Sequence, residues 1–133
     1  MTKEELLNEA NKAREKSYSP YSHFRVGACI LCKDGHFFHG ANIENASYPL
    51  SMCAERNAIY HALMEGYHKE DFAALAIIGE TDEPISPCGA CRQVIQELLP
   101  KDMPIYLGNL KGSIRTTNAV ELLPFAFDSE DLQ

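Results

Sequence analysis

The sequence lacks a long apolar run, a secretory leader and a basic cluster. No apolar stretch reaches the roughly 18 residues that a membrane-spanning helix needs, and residues 1–5 lack the basic and apolar regions of a signal peptide. Lys and Arg form no cluster of more than two residues, and the net charge is -7. We therefore expect a cytoplasmic protein that binds no membrane and no nucleic acid and acts on a small uncharged substrate.

The sequence also gives little support for a disulfide framework. It contains five cysteines, an odd number, without a secretory signal, so we expect thiols that stay reduced or bind a metal. The chain has 133 residues, of which 45% are hydrophobic and 23% charged. These values are typical of one globular domain, and we assign residues 1–133 to a single domain.

Apolar periodicity and turn signals predict alternating helices and strands. Helices are expected at 3–16, 53–65 and 88–99, with a helical turn at 120–123 and an aromatic and acidic tail at 125–133. Strands are expected at 25–33, 36–40, 72–79, 103–107 and 113–117. Because only five residues join the last two strands, these should pair antiparallel. The predicted fold class is α/β, with three α/β/α layers and a five-stranded mixed sheet.

Three thiols are spaced so that they could share one metal ion. Cys88 and Cys91 lie three residues apart, where we expect a helix to begin with Ser86 as its N-cap and Pro87 as its first residue. Cys53 starts another predicted helix. Thiolates are good zinc ligands, and a catalytic zinc keeps three protein ligands and one open position. This pattern predicts a catalytic zinc site.

Two neighbours of Cys53 suit such a site. Three thiolates on one Zn²⁺ leave a net negative charge, which the two helix N-termini and the Arg56 guanidinium would offset. Glu55 lies two residues from Cys53, close to the metal without having to be a ligand. A carboxylate in that position can take a proton from a metal-activated water and pass it to a substrate.

The cysteines also allow an alternative assignment of zinc ligands. Cys29 and Cys32 form a second Cys-x-x-Cys pair, which with Cys88 and Cys91 could build a closed structural zinc site. A spacing of three within a strand directs two side chains to opposite faces, so we interpret Cys29 and Cys32 as core thiols. The rival also leaves Cys53 without a role. The five histidines show no paired ligand spacing.

Five segments give the chain a resemblance to the zinc-dependent cytidine deaminases. They are 19–28 (SPYSHFRVGA), 42–48 (NIENASY), 53–56 (CAER), 86–94 (SPCGACRQV) and 121–124 (ELLP). The resemblance covers nearly the whole chain after the first helix. A cysteine rather than a histidine at position 53 resembles the short, homotetrameric branch of the family.

The resemblance implies hydrolytic deamination of cytidine and 2'-deoxycytidine to uridine and 2'-deoxyuridine with release of ammonia, a step of pyrimidine salvage. It implies that Cys53, Cys88 and Cys91 bind Zn²⁺, which activates water, and that Glu55 shuttles protons. It also implies a homotetramer whose active sites are completed by neighbouring subunits.

Substrate contacts follow from the same resemblance. Asn42 and Glu44 would hydrogen-bond the sugar hydroxyls, and Phe24 would pack on the nucleoside. The backbone N–H of Ala54 would hold the pyrimidine O2, and the backbone carbonyl of Ser86 would accept from the amino group.

Two further contacts would come from other subunits. The segment 46–48, with Ala46 and Tyr48, would contribute to a neighbour's site, and the tail aromatic expected to reach the base is Phe127. The family usually has a small residue after Leu-Leu-Pro, whereas this chain has Phe125. Either Phe125 or Phe127 could therefore face the site.

Three other functions fit parts of the pattern: a binding module with a structural zinc, a deaminase of RNA or single-stranded DNA, and a deaminase of another aminopyrimidine nucleoside such as blasticidin S. The acidic charge and the short link between the last two strands disfavour a polynucleotide substrate. The loop with Asn42 and Glu44 favours a substrate that carries a nucleoside sugar.

Overall fold

The computed structural model describes residues 1–132, and Gln133 at the end of the predicted tail lies outside the described residues. The helices are α1 (Lys3–Arg14), α2 (Ala54–Met64), α3 (Gly89–Leu98) and α4 (Ala119–Leu122). The strands are β1 (Val26–Cys32), β2 (Phe37–Ala41), β3 (Phe72–Gly79), β4 (Ile105–Asn109) and β5 (Ile114–Thr117). No helix within residues 1–132 combines the length and apolarity needed to cross a bilayer.

The five strands form one mixed sheet in the order β2-β1-β3-β4-β5. Strands β3 and β4 pair in parallel, and the other three pairs are antiparallel. The continuous apolar run of β3 occupies the centre of the sheet, as expected for a strand that is buried on both faces. The predicted five-stranded mixed sheet and its antiparallel last pair are confirmed.

Alternate side chains along β1 enter separate cores on the two faces of the sheet. Ile30 and Cys32 belong to the core that also contains residues of α2, α3 and α4. Cys29 belongs to the second core, which is formed with Leu6 and Ala10 of α1. Helix α1 therefore covers one face and the remaining helices cover the other, which gives the predicted α/β/α layers.

Two glycines let the helices approach the sheet closely. A Cβ atom added to Gly40 of β2 would lie 2.3 Å from both the Ala54 carbonyl oxygen and the Ala58 nitrogen of α2. A Cβ atom on Gly27 of β1 would lie 1.9 Å from the Ala10 carbonyl oxygen of α1. Gly40 thus fixes the distance between the sheet and the first turn of α2, where Glu55 lies.

The predicted start of α3 is wrong. The N-cap is Cys88, with extended backbone angles (φ -68°, ψ 169°), and not Ser86. Pro87 consequently precedes the helix instead of forming its first residue. Pro fixes only φ, near -65°, and that value also suits an extended segment. The later start places Cys88 immediately before the first turn of α3.

Candidate active site

Three thiols converge where α2 and α3 begin. Cys53 is the N-cap of α2, Cys88 is the N-cap of α3, and Cys91 lies in the first turn of α3. The Sγ of Cys88 lies 3.8 Å from that of Cys53 and 3.3 Å from that of Cys91. All three sulfurs are within 4.8 Å of one another. The fold thus brings together the three residues that the sequence singled out.

The arrangement of these sulfurs fits a tetrahedral zinc ion. Zn–S bonds of about 2.3 Å place two sulfurs of a tetrahedron about 3.8 Å apart, so the two observed distances require a shift of a few tenths of an ångström at most. Within residues 1–132, no other group of three or more His, Cys, Asp or Glu ligand atoms is clustered in this way. Three thiolates leave the fourth position of a tetrahedron free for water or substrate.

The rival Cys₄ site does not form. Cys29 and Cys32 are buried on opposite faces of β1, so their sulfurs cannot join Cys88 and Cys91 around one ion. Burial raises the pKa of Cys29 to about 12 and that of Cys32 to about 11. Both are protonated core thiols at neutral pH, which agrees with the interpretation of these residues from the strand periodicity.

Positive charge is placed against the thiol cluster. Arg56 donates from Nη2 to the Cys53 Sγ at 3.5 Å, and contact with the sulfurs raises the pKa of its guanidinium further. A hydrogen bond from Cys91, followed by that from Arg56, lowers the pKa of Cys53 to about 5. The pKa of Cys91 is raised by its hydrogen bond to Cys53 and by burial. Without metal, Cys91 thus holds its proton more tightly than Cys53 does, and zinc binding would displace that proton.

Glu55 is a buried carboxyl in the first turn of α2. Its side chain is only 4% exposed, and burial raises its pKa to about 7. A group with a pKa near neutrality can both accept and donate a proton at working pH, which is the property expected of a general acid–base. Glu55 lies two residues after Cys53 and lines the same cavity as Cys53 and Cys88.

A cavity of about 370 Å³ opens beside the thiols. This volume is within the range of small-molecule sites. Its walls include six of the predicted substrate contacts, namely Phe24, Asn42, Glu44, Tyr48, Ala54 and Ser86. Ala46 is exposed and is not part of this wall, and neither is Phe127.

The loop that carries Asn42 and Glu44 is held by an ordered set of hydrogen bonds. Asn42 Oδ1 accepts from the Val26 N–H at 2.9 Å and from Ser17 Oγ at 2.5 Å, while Nδ2 donates to the Phe24 carbonyl at 2.8 Å. An amide nitrogen carries two hydrogens. These contacts fix the orientation of the Asn42 amide and leave one N–H of Nδ2 available for a further hydrogen bond.

Glu44 is fixed by the backbone of the preceding loop. Its Oε1 accepts from the N–H groups of Tyr21 (3.0 Å) and Ser22 (3.1 Å), and its Oε2 accepts a short hydrogen bond from Ser22 Oγ. The hydrogen bond from Ser22 lowers the pKa of Glu44, so the group is a carboxylate at neutral pH. Asn42, with a spare N–H, and Glu44, with a carboxylate, both line the cavity.

Comparison with known proteins identifies the family. The family model described as the cytidine and deoxycytidylate deaminase zinc-binding region matches residues 1–107. The chain belongs to this family. It is accordingly a zinc-dependent hydrolase of the cytidine deaminase family, and zinc is its cofactor.

Individual family members match over nearly the whole chain. The chain is 52% identical to the cytidine deaminase of Halalkalibacterium halodurans over 132 residues, which cover 99% of this chain and 98% of that protein. The crystal structure of cytidine deaminase from Burkholderia pseudomallei superimposes with a TM-score of 0.94 at 53% identity, covering 96% of this chain and 100% of that one. For the Mycobacterium tuberculosis enzyme the TM-score is 0.81 at 34% identity, with 96% and 98% covered.

The cytidine deaminase fold leaves the C-terminal tail largely exposed. Phe125 is completely exposed and adopts a left-handed backbone conformation (φ 56°), while Phe127 is 56% exposed. The Phe127 carbonyl accepts from Gln93 Nε2 of α3 at 2.7 Å. The tail is therefore attached to the helix that carries Cys91, with its aromatic side chains directed away from the core.

Sequence reasoning missed two residues of the deaminase site. Ser22 holds Glu44 through both its N–H and its hydroxyl, and Arg92 binds the segment before Cys88. Both residues lie in segments that resemble the family pattern, but nothing in the residue types indicates their partners. Those partners lie 22 positions from Ser22 and up to 30 positions from Arg92, so only the fold reveals the contacts.

Proposed function

We propose that this enzyme hydrolyses cytidine and 2'-deoxycytidine to uridine and 2'-deoxyuridine with release of ammonia. The observation that carries the proposal is one cavity of about 370 Å³ that is lined by Cys53 and Cys88 of the thiol cluster, by the buried Glu55 and by Asn42 and Glu44. The thiols and Glu55 supply the chemistry, and the amide–carboxylate pair supplies sugar recognition. The cytidine deaminases that match the chain over nearly its full length support the same substrate.

Cys53, Cys88 and Cys91 would hold the zinc ion. Zinc, when bound there, acts as a Lewis acid that brings the pKa of a coordinated water close to neutrality, as in other zinc deaminases. Arg56 and the N-termini of α2 and α3 supply positive charge that offsets the negative charge of the three thiolates.

Glu55 moves the protons of the reaction. Water must lose a proton before it attacks C4 of the pyrimidine, and the leaving amino group must gain one. Glu55 takes the first proton of water and gives it to N3. It then takes the proton of the hydroxyl newly bonded to C4 and gives it to the departing amine, which leaves as ammonia while the C4 carbonyl forms. Its burial supports this role, because a pKa of about 7 lets the same carboxyl act as base and as acid at neutral pH.

Asn42 and Glu44 recognise the sugar. The spare N–H of Asn42 can donate to a hydroxyl oxygen, and the Glu44 carboxylate can accept from a hydroxyl hydrogen. A bound nucleoside would cover these polar groups, and an analogue that lacks the hydroxyl would leave them without partners, so such sites can discriminate by about 10⁴-fold or more. Both cytidine and 2'-deoxycytidine keep a 3'-hydroxyl, whereas free cytosine has none.

Three further groups orient the base. The Ala54 N–H at the start of α2 would donate to the pyrimidine O2, and the Ser86 carbonyl would accept from the amino group. Phe24, which is 39% exposed on the cavity wall, offers an apolar face to the nucleoside.

The enzyme would work as a homotetramer with shared active sites. Large apolar side chains are exposed beside the cavity and along the tail: Tyr48 is 84%, Leu50 is 70% and Phe125 is 105% exposed. Exposed aromatic residues of this kind suit burial between subunits. Ala46 and Tyr48, together with Phe127 of the tail, would then complete the site of another subunit.

The cellular setting follows from the chemistry. All five cysteines are free, and three of them must stay reduced to hold zinc, which suits the cytoplasm. A substrate that is a free nucleoside places the reaction in pyrimidine salvage.

A substrate panel tests the proposed function. The zinc-loaded enzyme is mixed with cytidine, 2'-deoxycytidine, cytosine or adenosine, and the ultraviolet absorbance and ammonia release are followed. We expect conversion of the first two and none of cytosine or adenosine. Equal turnover of cytosine would contradict the role of Asn42 and Glu44, and no turnover of cytidine would overturn the proposed function.

A further inference from the structure

Arg92 makes three hydrogen bonds around the thiol cluster. Its Nε donates to the Pro87 carbonyl at 2.9 Å, its Nη2 to Ser86 Oγ at 2.6 Å and its Nη1 to the Leu122 carbonyl at 2.8 Å. The guanidinium is a planar fork with fixed donor directions, so three simultaneous contacts define the relative positions of the groups that it binds.

Two of these contacts fix the segment that leads into the zinc site. Residues 80–88 between β3 and α3 form neither helix nor strand, so this segment depends on other bonds for its position. Arg92 binds Ser86 and Pro87, the two residues that immediately precede the ligand Cys88. Arg92 itself follows the ligand Cys91 and donates its backbone N–H to the Cys88 carbonyl at 3.0 Å.

The third contact connects the same guanidinium to the C-terminal part of the chain. Leu122 is the last residue of α4, and carbonyls at a helix end have no partner within the helix. The adjacent Gln93 makes a second connection by donating to the Phe127 carbonyl. Consecutive residues of α3 therefore hold both the segment before Cys88 and the tail.

We propose that Arg92 is a positioning residue. It holds Ser86 and Pro87, and through them the Cys88 thiol, in the positions needed for zinc retention and for orientation of the leaving amino group. Its contact with Leu122 makes the C-terminal part of the chain support the zinc site of its own subunit. The part that concerns the amino group rests on the proposed function, and the part that concerns zinc retention does not.

We expect replacement of Arg92 to impair zinc retention and kcat even when the positive charge is kept. Lysine keeps the charge of Arg92 but cannot reach three acceptors with fixed geometry. Loss of residues that orient metal ligands typically lowers metal affinity or activity by about 10- to 100-fold. Because the segment is needed when the amine leaves, we expect the loss in kcat, with KM changed by less than about threefold.

The experiment compares Arg92→Lys and Arg92→Gln with the parent, and uses Arg115→Lys and Arg115→Gln on the exposed β5 position as matched controls. Three quantities are measured: kcat and KM for cytidine, the rate of zinc transfer to a chromogenic chelator, and Tm. We expect both Arg92 variants to release zinc about tenfold faster or more and to lose kcat, while the Arg115 variants match the parent. If Arg92→Gln does not fold, the measurements on Arg92→Lys alone test the proposal.

Two results would overturn the proposal. One is zinc release and kcat within about twofold of the parent in Arg92→Lys. The other is a lower Tm with unchanged zinc release and kcat at 25 °C, which would make Arg92 a purely structural brace. Zinc transfer is measured without substrate, so a parent enzyme that fails to deaminate cytidine would refute the proposed function and still leave the effect of Arg92 on zinc measurable.

Discussion

At the scale of single residues, environment divides five chemically identical thiols into two groups. Cys53, Cys88 and Cys91 cluster where α2 and α3 begin, and Arg56 donates to Cys53, whereas Cys29 and Cys32 are buried in apolar cores. Helix N-termini and cationic neighbours favour thiolates, and apolar burial favours thiols. The two groups should therefore differ in both metal binding and reactivity.

Alkylation tests whether the two groups of cysteines differ in reactivity. In zinc-depleted protein at pH 8, we expect iodoacetamide to modify Cys88 and Cys53, and zinc to protect both. Cys29 and Cys32, with pKa values raised to about 12 and about 11, should remain unmodified. Since a pKa above the ordinary value of 9.0 keeps a thiol protonated to higher pH, their protection should persist as pH rises through 9.

Peptide mass mapping assigns each modification. Protein unfolded in denaturant is the control, because its cysteines should all react. Modification of Cys29 in the native protein at the rate seen for Cys88 would contradict the assignment of Cys29 to the core.

The separation of core cysteines from metal-binding cysteines could be predicted from sequence, since strand periodicity alone places Cys29 and Cys32 on opposite faces of the sheet. It did not allow the start of α3 to be placed, because cysteine is not among the residues that favour N-cap positions. The roles of Ser22 and Arg92 also escaped prediction. Each acts through a carboxylate or carbonyl that is distant in the chain, and such pairings depend on the assembled fold.

At the scale of elements, the position of α2 against β2 determines where Cys53 and Glu55 lie. Gly40 permits this contact, and Gly27 permits the corresponding contact of α1 on the opposite face of the sheet. The two glycines form a matched pair, because a methyl group at either position meets helix backbone rather than a flexible side chain.

Alanine substitution separates stability from site geometry. We expect Gly40→Ala and Gly27→Ala each to lower the free energy of unfolding by about 1–3 kcal/mol or more, as overpacking does. Only Gly40→Ala should also speed zinc release, because α2, unlike α1, begins at a proposed zinc ligand, Cys53. Denaturant unfolding and chelator-driven zinc transfer measure the two effects, and equal zinc release from both variants would show that the helix position does not control the site.

The order and pairing of the elements could largely be predicted from sequence. The apolar run 72–79 gave the bounds of β3, and the short link gave the antiparallel β4–β5 pair. The ends of other elements were less accurate, and α1 ends at Arg14 rather than at residue 16. Helix ends depend on local capping and packing, which composition describes poorly.

At the scale of the whole molecule, one chain forms a cavity and leaves aromatic residues exposed beside it and along the tail. Tyr48 and Phe125 are almost fully exposed, and Phe127 is more than half exposed. The single chain does not indicate which of these residues would enter a neighbour's site, since such a contact would form only in the proposed tetramer.

Sedimentation and subunit mixing test the shared site. We expect a particle of four 14.9 kDa chains. We also expect Phe127→Ala and Glu55→Gln to be separately impaired, and a mixture refolded together to exceed the mean activity of the two. In such hybrids a chain with intact Glu55 can receive Phe127 from its neighbour.

The same mixing with Phe125→Ala identifies the tail residue. If Phe127 is the contact, Phe125→Ala should keep near-parental activity and mixing should add nothing. A monomer with full activity would contradict the shared site altogether.

The central claim is that the three thiols hold a catalytic zinc while Glu55 moves protons without binding the metal. The most direct test measures zinc content and cytidine turnover together in Glu55→Gln. We predict one zinc per chain, as in the parent, and a kcat lower by about 10²- to 10⁴-fold. Turnover close to that of the parent, or loss of zinc from Glu55→Gln, would contradict the claim.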